Sequence, residues 1–265
     1  MHEPSSGQLR YLHKQKRQRY TVLFFRTAIL LVFLFLWEFT ARTGIIDSFI
    51  FSSPTQIARC FWGMVLDKSI FLHLGITLYE TLASFLLVTF LGVLFAVFLW
   101  MWPRFSEIVD PYLVVLNSLP KSALAPLLIV WLGANQKTII VAGMSVAIFG
   151  SILNLYTSFT SVDPEKITLV YTLGGRRLHA LTKVVLPGNV PAIISNMKVN
   201  IGLCLVGVVI GEFIGGRQGL GYLIIYGSQV FKLDWLLMSI VLLCMMAMAL
   251  YAVIGAVEKL YKKRY

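Results

Sequence analysis

Leu82–Trp100 reads LASFLLVTFLGVLFAVFLW. No charged residue interrupts it, and apolar and polar residues do not alternate along it. A helix needs about 20 mostly apolar residues to cross the hydrocarbon of a bilayer. Backbone groups in lipid must bond within their own segment, so such a block is a helix. A membrane β-strand would be shorter and would alternate. Five further blocks of this kind follow when the reading is extended in both directions. They place spans at about 21–41, 75–100, 111–132, 137–160, 190–211 and 234–256. Pro120 and Pro126 interrupt the third. The expected fold class is an all-α membrane protein with six transmembrane helices.

Composition agrees. Of 265 residues, 58% are hydrophobic and 13% charged, against about 25% charged in an ordinary soluble domain. The net charge of +11 would suggest nucleic acid in a soluble chain. Here the bases sit in the tails and loops, so topology explains them and no nucleic-acid partner is expected. With the N-terminus inside, fourteen Lys and Arg fall on the cytoplasmic side and six outside. The inner set includes Arg10, Lys14, Lys16, Arg17 and Arg19 in the N-terminal tail, and Lys259, Lys262, Lys263 and Arg264 at the other end. The expected topology is N-in and C-in. Residues 1–20 form a basic cytoplasmic tail and 21–265 the transmembrane domain. No small-residue cleavage pattern follows the first apolar run, which is expected to stay as a helix.

Other chemistry is sparse. Cys60, Cys204 and Cys244 have no metal or redox spacing and read as packing residues. No nucleotide-binding GxxxxGK[ST], HExxH or GxSxG run occurs, so neither an enzyme nor a bound cofactor or metal is expected. The outer segment 44–71 suggests a short amphipathic helix.

The inner segment 161–188 carries the most information. Asp163 suits a helix cap, Pro164 the first helical position, and Glu165 the positive end of the helix dipole. Gly174 and Gly175 accept the backbone angles of a helix stop. A second short helix is expected from about Arg176 to just before Pro187. Ile167, Val170 and Leu173 share one face of the first helix; Leu178, Leu181 and Val185 share one face of the second. Two apolar stripes exposed to cytoplasm need a partner or a membrane surface.

These residues resemble a known family. Gly174, nine residues, then Val184-Val185-Leu186-Pro187 is similar to part of the EAA signature of permeases in binding-protein-dependent ABC importers. Gly211-Glu212-Phe213, Gly219-Leu220-Gly221-Tyr222-Leu223 and Ser53-Pro54-Thr55-Gln56 resemble its nitrate/sulfonate/taurine branch. The Glu-Ala-Ala triplet itself is replaced by Thr168-Leu169-Val170, with Glu165 one turn earlier. The resemblance implies a type I ABC importer (MetI-like) fold in a bacterial cell membrane. It also implies a second permease subunit as a homodimer, cytoplasmic ABC ATPase subunits that bind the ATP, and an extracytoplasmic substrate-binding protein. Asp163, Glu165, Thr168, Leu169, Val170, Gly174, Arg176, Leu186 and Pro187 would then contact or move with the ATPase. The implied cargo is a small anion such as an alkanesulfonate, taurine or nitrate. Vitamin precursors such as a thiamine pyrimidine or riboflavin are the alternative, and an ion-coupled secondary transporter is the rival class.

Ionisable and polar residues inside spans are pathway candidates. Lys121 follows the Pro120 break, where it either faces the pathway, snorkels to the inner headgroups, or pairs with Glu107 or Asp110. Lys198 and Asn200 lie on the fifth span, and Glu212 lies where that span emerges, as an outer-gate or surface residue. Glu38 and Glu80 are expected among headgroups or beside a basic partner. Gly202, Gly207 and Gly211 form a small-residue stripe suited to close helix packing.

Overall fold

The computed structural model describes residues 6–264, and the first five residues of the expected tail lie outside them. In chain order the elements are α1 (Ser6–Arg42), α2 (Ser48–Phe51), α3 (Pro54–Leu66), α4 (Ser69–Met101), α5 (Pro103–Ser118), α6 (Lys121–Leu132) and α7 (Gln136–Thr160). Then come α8 (Pro164–Thr172), α9 (Arg177–Ala180), a π-helical turn (Leu181–Val185), α10 (Leu186–Gly188), α11 (Val190–Gly215), α12 (Leu220–Gln229) and α13 (Leu233–Arg264). Residues up to Trp62 form one compact unit and those from Gly63 onward another.

In the first unit, α1 carries the expected basic tail and the first span in one continuous helix. Glu38 accepts hydrogen bonds from the Thr55 backbone N–H (3.1 Å), the Thr55 hydroxyl (2.7 Å) and Arg42 (2.5 Å). Ser53 Oγ accepts from Gln56 N at 3.3 Å. The Ser-Pro-Thr-Gln run is thus a helix start fastened to α1, and Glu38 has a basic partner, Arg42, one of its two expected settings.

Five described helices of the whole chain are long and apolar enough to span, four of them in the second unit, and the bent pair α5 and α6 makes a sixth when counted as one broken span. The third span begins earlier than the expected residue 111, and the interruption expected at Pro120 is present. It starts at Pro103 and breaks at Leu119–Pro120 with a 94° bend. Proline disfavours helical angles in the residue before it, and Leu119 is extended (φ −60°, ψ 139°). Pro126 stays inside α6 without breaking it.

The core is a seam of α4, α7 and α11. Phe85, Val88, Ile148, Ile152, Ile201 and Cys204 fill it, so Cys204 packs as expected. The backbones approach closely where side chains are small. A Cβ on Gly207 would lie 2.8 Å from Gly143 Cα, and one on Gly211 would lie 3.2 Å from Ile139. The small-residue stripe therefore serves packing inside the subunit at 207 and 211, whereas a Cβ on Gly202 would meet nothing within 4 Å.

Candidate functional site

Local sequence builds the inner loop as expected, up to a point. Asp163 Oδ1 accepts from Glu165 N at 3.0 Å and caps α8. Its other end closes with Gly175 N donating to Val170 O (2.8 Å) and Gly174 N donating to Tyr171 O (3.0 Å). That paired pattern requires a left-handed residue between helix and loop, which Gly174 supplies at φ 79°. Arg176 is the next cap: its N–H donates to His179 Nδ1 at 3.0 Å. The second helix does not stop before Pro187. It passes through the π-helical turn and on to Gly188. A proline ring clashes with the carbonyl four residues earlier; that residue, Lys183, lies in the widened turn.

The two stripes are also redistributed. Ala180, Leu181 and Val185 bury against Ala96, Trp100, Leu155 and Phe159, with Ile167, Val170 and Leu186 packed beside them. The chain's own α4 and α7 thus cover most of the apolar surface thought to need a partner. Leu173 and Leu178 turn outward instead, 79% and 57% exposed, and join Leu169 at 58%. Asp163, Glu165, Thr168, Arg176 and Pro187 are exposed too. The Thr168 hydroxyl donates to Pro164 O within its own helix (2.9 Å). Arg177 was missed from sequence. It donates to Trp100 O at 2.5 Å and stacks over the Trp100 ring at 4.9 Å, locking the loop onto the end of α4.

A second polar cluster lies at the opposite end of the seam. α12 begins at Gly219, which has no side chain to cap the helix, and its first N–H groups find partners on other helices. Gly219 N donates to His73 Nδ1 (3.0 Å) and Leu220 N to Thr77 Oγ1 (2.8 Å). Gly221 N donates to Glu212 Oε2 (2.5 Å), and the Thr77 hydroxyl donates to Glu212 Oε1 (2.7 Å). The Gly-Leu-Gly-Tyr run follows from this: a Cβ at Gly219 would sit 2.3 Å from Glu212 Oε1, and one at Gly221 would sit 2.7 Å from Oε2. Glu212 is fully buried, so it is not a surface residue, and its carboxylate caps α12. Glu80 is likewise fully buried, not among headgroups, and its carboxyl lies against that of Glu212. His73, Thr77 and Glu80 share one stripe of α4 at helical spacing; a polar stripe inside an apolar span was the available signal.

The remaining pathway candidates disperse. Lys121 Nζ donates to Asn117 O at 2.5 Å, the carbonyl an unbroken helix would have paired with the Lys121 N–H. It bridges the break rather than pairing with Glu107 or Asp110. Lys198 forms an ion pair with Glu258 and lies 5.5 Å from the Tyr251 ring. Asn200 is buried and, with Asn196, donates to Ser151 Oγ (2.9 and 2.8 Å). Beside them a cavity of about 220 Å³ is lined by Asn154, Ser158, Ser195 and Asn196. Among the described residues no group of three or more His, Cys, Asp or Glu side chains is placed to hold a metal ion.

The family profile described as binding-protein-dependent transport system inner membrane component matches residues 88–265. This chain belongs to that family. The permease is 27% identical over 83% of its length to a probable ABC transporter permease protein of Haemophilus influenzae, 89% of which is covered. It is 26% identical over 75% of its length to a putative aliphatic sulfonates transport permease protein of Bacillus subtilis, 72% of which is covered. It is 26% identical over 87% of its length to the riboflavin transport system permease protein of Chloroflexus aurantiacus, 86% of which is covered. Its fold matches an inward-facing MetNI methionine ABC transporter at TM-score 0.57 and 17% identity, over 68% of this chain and 92% of that one. The permease is thus a multi-pass inner-membrane subunit with a type I ABC importer fold.

Proposed function

We propose that the permease forms the cargo pathway of an ATP-driven importer and takes its driving force from ATPase subunits on separate polypeptides. The carrying observation is the inner loop. Asp163, Arg176 and the Gly174 turn cap two short helices, and buried Leu181 and Val185 plus Arg177 fix them to α4 and α7. A stiff element of that kind transmits displacement; a mobile loop would not. Leu169, Leu173 and Leu178 provide an apolar face for an ATPase groove, with Glu165 and Arg176 at its edges. In this reading Thr168, standing where relatives carry Glu, makes the contact apolar rather than ionic. Val170 and Leu186 then act from behind, holding the face in place, while Pro187 is exposed at its end.

The same reading sets the N- and C-termini and residues 161–188 in the cytoplasm. It places a second copy of the permease across the pathway and a substrate-binding protein at the outer face. Asn196, which lines the polar cavity, is the residue a passing solute would meet, with buried Asn200 behind it, while Lys121 is held at the break. The favoured cargo is a small anion such as an alkanesulfonate, taurine or nitrate, supported by the sulfonate-named relative. The riboflavin-named relative, which aligns over more of the chain, supports a vitamin precursor as the second reading.

Gly174→Val tests the coupling. A β-branched residue at φ 79° costs about 1–3 kcal/mol and opens the α8 cap. In the complex reconstituted with its ATPase and substrate-binding protein, uptake per ATP hydrolysed is expected to fall several-fold. Unchanged uptake and ATPase rates would remove the loop from the mechanism.

A further inference from the structure

We propose that the paired carboxyls of Glu80 and Glu212 form a binding site for one small cation, reached through a cavity at the outward-facing ends of α4, α7 and α11. The two acids differ in what surrounds them. Glu212 accepts from the Thr77 hydroxyl and from the Gly221 and Tyr222 N–H groups at the start of α12, so its negative charge is met by fixed donors. Both Glu80 oxygens are buried, and no backbone N–H, hydroxyl or amide donates to them. The ion pairs of the described residues all lie elsewhere and include neither acid. A buried carboxyl without a donor, pressed against a second carboxyl, needs one positive charge to exist at that depth.

The surroundings fit a small hard ion. A cavity of about 190 Å³ lies against Glu80 and is lined by Asn135, Gln136, Ile139, Arg217 and Gln218. Liquid water occupies about 30 Å³ per molecule, so an ion with a partial shell of water has room. Carboxylate and amide oxygens are the ligands such ions prefer. Asn135 is already committed to Leu132 and Thr138, which leaves Gln136 and Gln218 as the neutral oxygens. The other charged or titratable groups nearby are Arg217, exposed at the mouth, and His73, whose Nδ1 accepts from Gly219. Sodium and a proton would supply the same charge, and Glu212 would pass its effect to the cap of α12.

The test uses the full-length permease in nanodiscs. Melting is followed in sodium chloride and in N-methylglucamine chloride of equal ionic strength, and infrared spectra are recorded in the sodium-free buffer. A rise in Tm of about 5–10 °C at a hundredfold excess of sodium over its Kd, absent in Glu80→Gln, identifies sodium as the ligand. A carboxylic-acid carbonyl band in wild type, absent in Glu80→Gln, with no rise in Tm in sodium shows that the pair merely shares a proton and overturns the site. Wild type that shows neither the rise nor the band overturns it, even if Glu80→Gln fails to fold. A response that persists in Glu80→Gln overturns it too. If Arg217→Gln creates a sodium response that wild type lacks, Arg217 is the counter-charge and the site is refuted.

Discussion

Gly219→Ala tests the outer cap most directly. Gly219 has φ +112°, and a Cβ built there would lie 2.3 Å from Glu212 Oε1 and 2.4 Å from its Cδ. The positive φ alone costs a non-glycine residue about 1–3 kcal/mol. The clash adds about 1–3 kcal/mol of overpacking, because Glu212 is fully buried and cannot swing into solvent. If the carboxylate retreats instead, it loses the bonds from Thr77 (2.7 Å) and Gly221 (2.5 Å), each worth about 1.5–3 kcal/mol to a charged acceptor. The cheaper route, backbone strain plus the clash, gives a loss of about 2–6 kcal/mol, or at least about 4–5 °C in Tm for a domain of this size.

The assay is melting of the purified permease in nanodiscs, with Gly202→Ala as control, since a Cβ at Gly202 meets nothing within 4 Å. The control is expected to melt with wild type. If Gly219→Ala also melts within about 1 °C of wild type, the carboxylate does not occupy the cap, and the account of the Gly-Leu-Gly-Tyr run fails with it.

Three further outcomes follow from other contacts. Arg177→Ala removes the bond to Trp100 O and the stacking on its ring; hydrogen exchange at residues 164–188 is expected to rise at least about tenfold, from a loss of about 1.4 kcal/mol or more. Arg177→Lys should recover only part of that protection, because a point charge cannot replace the planar fork. Lys121→Met leaves the Asn117 carbonyl without its ammonium partner and should lower Tm by a few degrees, at about 1–3 kcal/mol; a change in cargo kinetics at unchanged Tm would instead place Lys121 in the pathway. Gly207→Ala puts a Cβ 2.8 Å from Gly143 Cα and 3.0 Å from Ala142 O; neither backbone atom yields easily, so a loss of about 1–3 kcal/mol is expected in the melting curve.

What could be read from sequence was local. The spans declared themselves by length, and the α8 cap and stop by residues adjacent in the chain, Asp163 to Glu165 and Val170 to Gly175. Long-range packing stayed hidden. Leu173 and Leu178 belong to regular stripes yet point outward, because the loop rotates to bury Leu181 and Val185 against Trp100 and Phe159. Pro187 reads as a stop until a π-helical turn gives it room. Glu80 and Glu212 look like separate residues near the ends of two spans. Only the crossing of α4 and α11 puts them together, with both side chains fully buried in the protein.

One helix joins the two clusters. α4 carries Thr77, which bonds Leu220 and Glu212, and Trp100, which holds Arg177. The residues between them span roughly 35 Å at 1.5 Å per residue, about the thickness of the hydrocarbon. Along that length α4 is seated on α7 and α11 through contacts too close for a side chain, such as Gly92 against Ser151 and Gly143 against Ser84. Interfaces this tight shift as units rather than bend. A push on residues 161–188 therefore cannot be absorbed inside the seam. It must appear at the far end, where α12 is held by three side chains, or at the one place in the described spans where the helix is already broken, Leu119–Pro120. That break is bridged by a lysine on a flexible stem, and the seam has no comparable joint. Motion between states should accordingly concentrate in α6 and α12, leaving α4, α7 and α11 fixed relative to one another. Distance measurements between spin labels on α4 and α7 that changed with nucleotide would refute that division.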